Sequence, residues 1–226
     1  MGGILYIVST PIGNLGDITL RALEVLKGVN LIAAEDTRRT KRLLSHYSIR
    51  VPLVSYYEHN KIARSGLLIR KLKENRNIAL VCNAGTPGIC DPGYFIINLA
   101  IKNGIKVIPV PGVSAFLCGL QASGAATDSF VFEGYLSYKT KKRRDKFREI
   151  INEDRTVVFY EAPHRLVGSL KDMLDVLGDR KIIIGRELTK KFEEIKRDRV
   201  NQLIRHFSKH SPRGEFVIII PKRGKA

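Results

Sequence analysis

Small and polar residues gather in three segments that each follow a short apolar run. They are Ser9-Thr10-Pro11-Ile12-Gly13-Asn14-Leu15-Gly16, the stretch from Asn83 to Gly93 that contains Ala84-Gly85-Thr86-Pro87-Gly88-Ile89, and Pro111-Gly112-Val113-Ser114-Ala115. Such residues let a ligand lie close to backbone N–H and carbonyl groups, and loops beyond strand C-termini are where open α/β sheets place ligands. One such loop would read as a turn; three at matching places read as a ligand site. Neither glycine-rich segment has the three-glycine dinucleotide spacing, and no Gly-Lys-Ser/Thr element is present, so nicotinamide chemistry and nucleotide triphosphate hydrolysis lose their strongest sequence support.

A fourth segment, Glu35-Asp36-Thr37-Arg38-Arg39-Thr40, reads as a loop that faces the same crevice. The candidate reaction-side groups are Asn14, Glu35, Asp36, Arg38, His59, Asn60, Glu161, Arg165, Arg186, Glu187 and Lys190. Glu187 or Glu35 is suited to accept a proton, whereas Arg38, Arg165, Arg186 or Lys190 is suited to fix phosphates. Tyr56-Tyr57-Glu58-His59-Asn60 reads either as a base-stacking surface or as local core followed by a helix cap. His46, His59 and His164, with Cys82, Cys90 and Cys118, have no metal-ligand spacing.

The elements that must carry these residues are legible from hydropathy. Ile4–Val8, Leu31–Ala34, Val51–Val54, Ile78–Ala79-Leu80-Val81 and Val107–Val110 are short runs apolar on both faces, predicting buried strands. Helical intervals lie between them: 18–27 with Asp17 as its cap, 62–75, and 94–102 before Asn103-Gly104. The second half predicts strands at 130–132, 156–160, 181–184 and 216–220, a further one near 193–196, and helices near 140–152, 164–177 and 200–210. Its shorter returns imply a mixed sheet. The expected organisation is two α/β domains, 1–113 and 114–226, with Pro111-Gly112 as the hinge.

Among 226 residues, 39 Lys and Arg against 22 Asp and Glu leave a net charge of +17, divided as +8 on 1–113 and +9 on 114–226. Both halves therefore favour phosphate-rich partners, although charge alone does not separate nucleic acid from an anionic membrane. The densest run, Lys139 to Arg148, reads as a solvated helix face or as a phosphate-binding ridge built on Lys141, Lys142, Arg143 and Arg144. The apolar runs fall short of a membrane span, the N-terminal segment lacks a secretion pattern, and the three cysteines suit a reducing compartment, so a cytoplasmic protein is expected.

Taken in order, Ser9–Asp17, Ala34-Glu35-Asp36-Thr37-Arg38, Asn83–Ile89, Pro111–Ala115, Phe159-Tyr160-Glu161-Ala162-Pro163-His164-Arg165 and Arg186-Glu187-Leu188-Thr189-Lys190 resemble the ribosomal RNA small subunit methyltransferase I family of the tetrapyrrole methylase superfamily. The resemblance spans nearly the whole chain. It implies an α/β, tetrapyrrole methylase-like fold with two αβα domains and an inter-domain cofactor cleft holding S-adenosyl-L-methionine, with no metal. It further implies a homodimer that methylates the ribose 2'-oxygen of cytidine 1402 in 16S rRNA, in the small ribosomal subunit. Pro11, Ala84, Gly85, Thr86, Ile89, Ser114, Ala115, Phe132, Phe159 and Tyr160 are then the cofactor-binding residues, and Glu187, Glu35, Arg186 and Lys190 the catalytic set. The family loop usually reads Ser-Asp-Ala-Gly-Thr-Pro-Gly-Ile-Ser-Asp, whereas this chain has Cys82-Asn83 at its start and Cys90 before Asp91. Many members also continue into a small C-terminal domain beyond the position of Ala226, so RNA binding is expected to rest on the remaining basic surface. Two other readings stand beside this one. A small-molecule methyltransferase accounts for the loops but makes less use of the charge, and a noncatalytic ribosome-binding protein accounts for the charge but leaves the loops without a purpose.

Overall fold

In the computed structural model, which describes residues 2–209 and 211–222, the chain forms two compact units, Met1–Ser114 and Ala115–Ala226. The first carries five strands, β1 (Leu5–Val8), β2 (Leu31–Ala34), β3 (Leu53–Ser55), β4 (Ile78–Val81) and β5 (Val107–Val110), in the order β3-β2-β4-β1-β5. All its strand pairs are parallel. Residue alternation divides its core. Leu5, Ile7, Ile78 and Leu80 pack with Leu68 and Leu72 of α3 (Lys61–Lys73) and Ile96 of α4 (Gly93–Lys102) on one face. Val8, Ala79 and Val81 pack with Ala22 and Leu26 of α1 (Leu20–Gly28) and Leu44 of α2 (Thr37–His46) on the other. Burial on both faces is why these strands read as unbroken apolar runs.

Strand order supplies the site. From β1 the chain leaves toward β2 and β3, then returns to place β4 between β2 and β1 before crossing to β5. The carboxyl ends of β1 and β4 therefore lie side by side where the connections diverge, the switch point at which such sheets bind ligands.

The second unit is a mixed sheet in the order β6 (Phe130–Tyr135), β7 (Thr156–Glu161), β10 (Phe216–Ile220), β8 (Lys181–Arg186), β9 (Glu194–Arg199). Only β6 and β7 run parallel. One face carries α6 (Thr140–Glu149), α7 (Leu166–Leu177) and α8 (Val200–Ser208), through a core including Phe147, Phe159, Leu170, Leu203 and Phe216. The other carries α5 (Ala115–Ser123), drawn close because a Cβ on Gly119 would stand 3.0 Å from Val217 Cγ1.

Several expectations need correction. Residues 37–40 are the first turn of α2, not loop: the Asp36 carboxylate caps that helix by accepting from the Arg38 amide at 2.8 Å. Asp17 does not cap α1 but sits in a 3-10 turn, Leu15–Asp17, and Thr19 accepts from the Ala22 amide at 3.1 Å instead. A cap must stand directly before the first helical residue, and Thr19 does. The third strand starts at Leu53, after Pro52. Strand β6 extends to Tyr135 through a register shift at Gly134, whose φ of +69° suits glycine.

Candidate functional site

The loops after β1, β4 and β5 are joined by main-chain and hydroxyl bonds. Thr10 and Gly85 exchange both backbone hydrogen bonds, each 2.9 Å. Ser9 Oγ and Thr86 Oγ1 lie 3.0 Å apart, and the Thr86 hydroxyl donates to the Val113 carbonyl at 3.2 Å. Gly112 must be glycine, since a Cβ there would come within 2.8 Å of Ser9 Cβ. Gly85 and Gly88 have φ of +80° and +89°, conformations that L side chains rarely adopt. Asp91 pins the far end of the second loop by accepting from the Gly88 amide at 2.7 Å. Pro11, Ala84, Gly85, Thr86 and Ser114 thus belong to one stitched group of loops, with Ala84 and Ile89 exposed at its rim.

Beside it lies a cavity of about 220 Å³, lined by Thr10, Pro11 and Asn83 on one side and by Arg39, Arg42 and Leu43 of α2 on another. Glu35 Oε2 accepts from the Asn83 amide at 3.1 Å, and Asn83 Oδ1 is buried with no hydrogen-bond partner among the described residues. A buried acceptor without a donor is rare and suits a ligand that brings one. Below the loop, burial pushes the Cys82 thiol far above the ordinary thiol range. Asp36 is held down at about 2 by its hydrogen bonds from Arg38. Among the described residues no group of three His, Cys, Asp or Glu is placed to hold a metal.

In the second unit, Phe132 stacks on Phe116 at 4.3 Å, Tyr160 meets Phe132 edge-on at 4.9 Å, and the Tyr160 hydroxyl accepts from the Phe116 amide at 3.1 Å in the first turn of α5, which Ala115 opens. Sequence reasoning missed Phe116; the spacing that could have exposed it is its place directly after Ser114-Ala115. Phe159 does not belong with this group. It is 1 % exposed and packs edge-on to Phe147 in the α6–α8 core, because neighbouring strand residues point to opposite faces.

Arg186, Glu187 and Lys190 form a tight turn in which Glu187 (φ +49°) and Thr189 (φ +67°) adopt left-handed conformations. Glu187 Oε1 accepts from Lys190 Nζ at 2.7 Å and from the Glu215 amide at 3.0 Å, while Arg186 Nε donates to the Arg213 carbonyl. Burial alone would raise the Glu187 carboxyl, but the hydrogen bonds from Lys190 and the Glu215 amide outweigh it and hold it below the ordinary value. Burial likewise opposes the charge on Lys190, and its bonds to Glu187 and Glu215 overcome that, leaving it raised.

The remaining candidates are held by the fold. Glu161 is buried, where it takes Ser169 Oγ, the Ala162 amide and Arg165 Nη2; Arg165 also donates to the Leu136 carbonyl, so neither presents a free charge. Asn14 caps the 3-10 turn. Asn60 accepts from the Tyr57 amide and donates to Ser55, and His59 meets Tyr57 edge-on. Tyr56 is 1 % exposed, so only Tyr57 is open for stacking. The basic run is also corrected: Arg143 is buried against Asp172, with Arg143 Nε donating to Asp172 Oδ2 at 2.8 Å, and Arg144 pairs with Asp172 and Asp175. Lys141 and Lys142 are exposed.

Residues 4–204 match the model of the Tetrapyrrole (Corrin/Porphyrin) Methylases. The chain is 48 % identical over 219 residues to a ribosomal RNA small subunit methyltransferase I from a Synechocystis species, covering 96 % of this chain and 78 % of that protein. It is 49 % identical over 220 residues to the protein of the same name from Vibrio cholerae, covering 96 % and 76 %. A solved diphthine synthase superposes with a TM-score of 0.77 at 14 % identity, over 97 % of this chain and 90 % of that one, a likeness of fold.

Proposed function

Because the chain belongs to the tetrapyrrole methylase family and, within it, to the ribosomal RNA small subunit methyltransferase I family, we propose that it transfers a methyl group from S-adenosyl-L-methionine to the ribose 2'-oxygen of cytidine 1402 in 16S rRNA. The observation that carries the reading is the stitched set of loops at the carboxyl ends of β1, β4 and β5, held in shape by the positive-φ Gly85 and Gly88, whose Asn83 offers a buried acceptor unmatched among the described residues.

Adenosylmethionine supplies an electrophilic methyl on a sulfonium that is already a good leaving group. The chain's own work is therefore binding, alignment and proton handling. In this reading Pro11, Ala84, Gly85, Thr86, Ile89 and Ser114 of the first unit hold the cofactor; of the residues expected to do so in the second unit, Ala115, Phe132 and Tyr160 lie together at the start of α5, whereas Phe159 lies in the core on the opposite face of its sheet. The hydroxyl proton needs an acceptor. Glu187 already gives Oε1 to two donors that weaken its basicity. Glu35 accepts one amide hydrogen among the described residues, which leaves lone pairs for a ribose hydroxyl. Glu35 is accordingly the base in this reading, with Glu187 ordering Arg186 and Lys190 as an electrostatic surface toward RNA. The active form is a cytoplasmic homodimer acting on the small ribosomal subunit.

Mass spectrometry of 16S rRNA fragments from a deletion strain and its complemented partner tests the reading. Ribose methylation at cytidine 1402 should vanish on deletion and return on complementation. Equal methylation in both strains, or transfer by the pure protein to a small molecule and not to ribosomal RNA, overturns it.

A further inference from the structure

Four of the seven cations in the densest basic run of the sequence are neutralised in the folded protein, leaving Lys139, Lys141 and Lys142 without an ion pair among the described residues. On α6, Arg143 and Arg144 are taken up by Asp172 and Asp175, Lys146 by Glu133 and Glu149, and Arg148 by Asp145. The sparser run on α2 is mostly unmatched. There Arg38 pairs with Asp36, but among the described residues Arg39, Lys41 and Arg42, and Arg50 just beyond the helix, have no carboxylate within ion-pair distance. Counterion release on binding a polyanion comes from cations that are not already matched by protein carboxylates, so the second run outweighs the first.

The shape of α2 organises these charges. Thr40 and Leu44 turn inward, while Arg38, Lys41, Arg42 and Ser45 fall three and four residues apart on one exposed stripe. Arg38, Lys41 and Arg50 rim a concavity of about 610 Å³ whose floor is Leu44, Ile49, Val51 and Leu53. A second concavity, of about 600 Å³, runs along Arg38, Lys41, Arg42 and His46. Cations around an apolar floor suit a strand that offers phosphates and unstacked bases together. The stripe also leads somewhere, because Arg42, together with Arg39, forms one wall of the cavity whose other wall is Thr10, Pro11 and Asn83.

We propose that α2 with Arg50 is the phosphate-binding surface on which the RNA substrate lies, feeding the strand toward the loops after β1 and β4. This placement rests on the methyltransferase reading above and assigns a position to its substrate.

The test uses the full chain with two double variants of equal charge loss. Lys41→Ala/Arg50→Ala removes two unpaired cations from the outer concavity, and Arg148→Ala/Arg155→Ala removes two that already pair with Asp145 and Glu153. Binding to a 16S rRNA fragment spanning the target nucleotide is measured by fluorescence anisotropy across a series of KCl concentrations. At about 0.7 per single-strand phosphate contact, the α2 variant should lower the salt slope by roughly 1.4 and weaken binding about 25-fold at 0.1 M salt. The control variant should leave the slope at the wild-type value, and adenosylmethionine affinity should be the same in all three proteins. An unchanged slope in the α2 variant, or equal slopes in both variants, overturns the placement while leaving the methyltransferase reading intact. Loss of adenosylmethionine binding in the α2 variant also overturns it, by assigning the face to the cofactor. Retained RNA affinity with lost binding to phosphatidylserine vesicles assigns the face to a membrane and overturns it too. A wild-type protein that binds no RNA defeats both proposals at once.

Discussion

Replacing Arg143 with alanine should damage the second unit far more than replacing the two lysines that precede it. The Arg143 and Asp172 side chains are 8 % and 6 % exposed. Arg143 Nε donates to Asp172 Oδ2 at 2.8 Å, Nη1 donates to the Ser137 carbonyl at 3.0 Å, and a further bond joins Nη2 to the same carboxylate. Removing the guanidinium leaves Asp172 buried with only the partly exposed Arg144 to balance it, and unmatches the half-buried Ser137 carbonyl. Breaking a buried pair from one side costs about 3–5 kcal/mol. With a urea m-value of roughly 1.5 kcal/mol/M, that cost moves the unfolding midpoint down by about 2–3 M. Lys141→Ala/Lys142→Ala, on the exposed face, should stay within about 0.5 kcal/mol of wild type. Urea titration followed by far-UV circular dichroism measures both. Comparable midpoints for the Arg143 and the double-lysine variants would refute the buried-pair reasoning, and would restore Arg143 to the solvent-facing ridge.

Four further outcomes are expected. Gly85→Ala meets Ile12 Cγ2 and Val113 O at ordinary distances of 3.5 and 3.6 Å, so its penalty comes from a φ of +80°, about 1–3 kcal/mol, and calorimetry should show weaker adenosylmethionine binding; equal affinity would remove the loop from the cofactor site. Glu187→Gln should keep most single-turnover activity at neutral pH while Glu35→Gln loses it, and the reverse result would return the base to Glu187. The same variant should flatten part of the stability–pH curve: a depressed carboxyl stabilises the fold above its unfolded titration range, and that contribution fades as pH falls through the folded value, so an unchanged acid limb speaks against the Lys190 bond. In thiol labelling at pH 8, exposed Cys90 should react well before buried Cys82, whose thiol is pushed upward by burial; equal rates would contradict the packing beneath the loop.

Strand positions were legible because parallel strands buried on both faces leave short apolar runs, and the mixed second sheet followed from its short returns. Helix α2 was not, since Thr37–His46 holds only Leu43 and Leu44 as large apolar residues, and its start depends on the Asp36 cap. Phe159 and Arg143 depart from the sequence expectation for geometric reasons. Phe159 and Tyr160 are adjacent on β7, so one must face the core when the other faces α5. Arg143 stands four residues before Phe147 and seven before Ile150, both buried, and that helical spacing marks it as the inward member of its run. What no spacing reveals is neutralisation: Asp172 and Asp175 lie on α7, far along the chain from the arginines they quench.

The paired backbone bonds between Thr10 and Gly85 have an evolutionary consequence. They hold two loops in register through backbone atoms, so that, away from the glycines the corner requires, its shape depends little on which side chains are mounted on it. The backbone amide of Asn83 is what Glu35 grips, a bond that aspartate at the same position would provide equally. A carboxylate can be exchanged for a carboxamide there without the loop losing its course. The charge of that neighbourhood can change while its contour persists, so fold and chemical preference are separable at this corner.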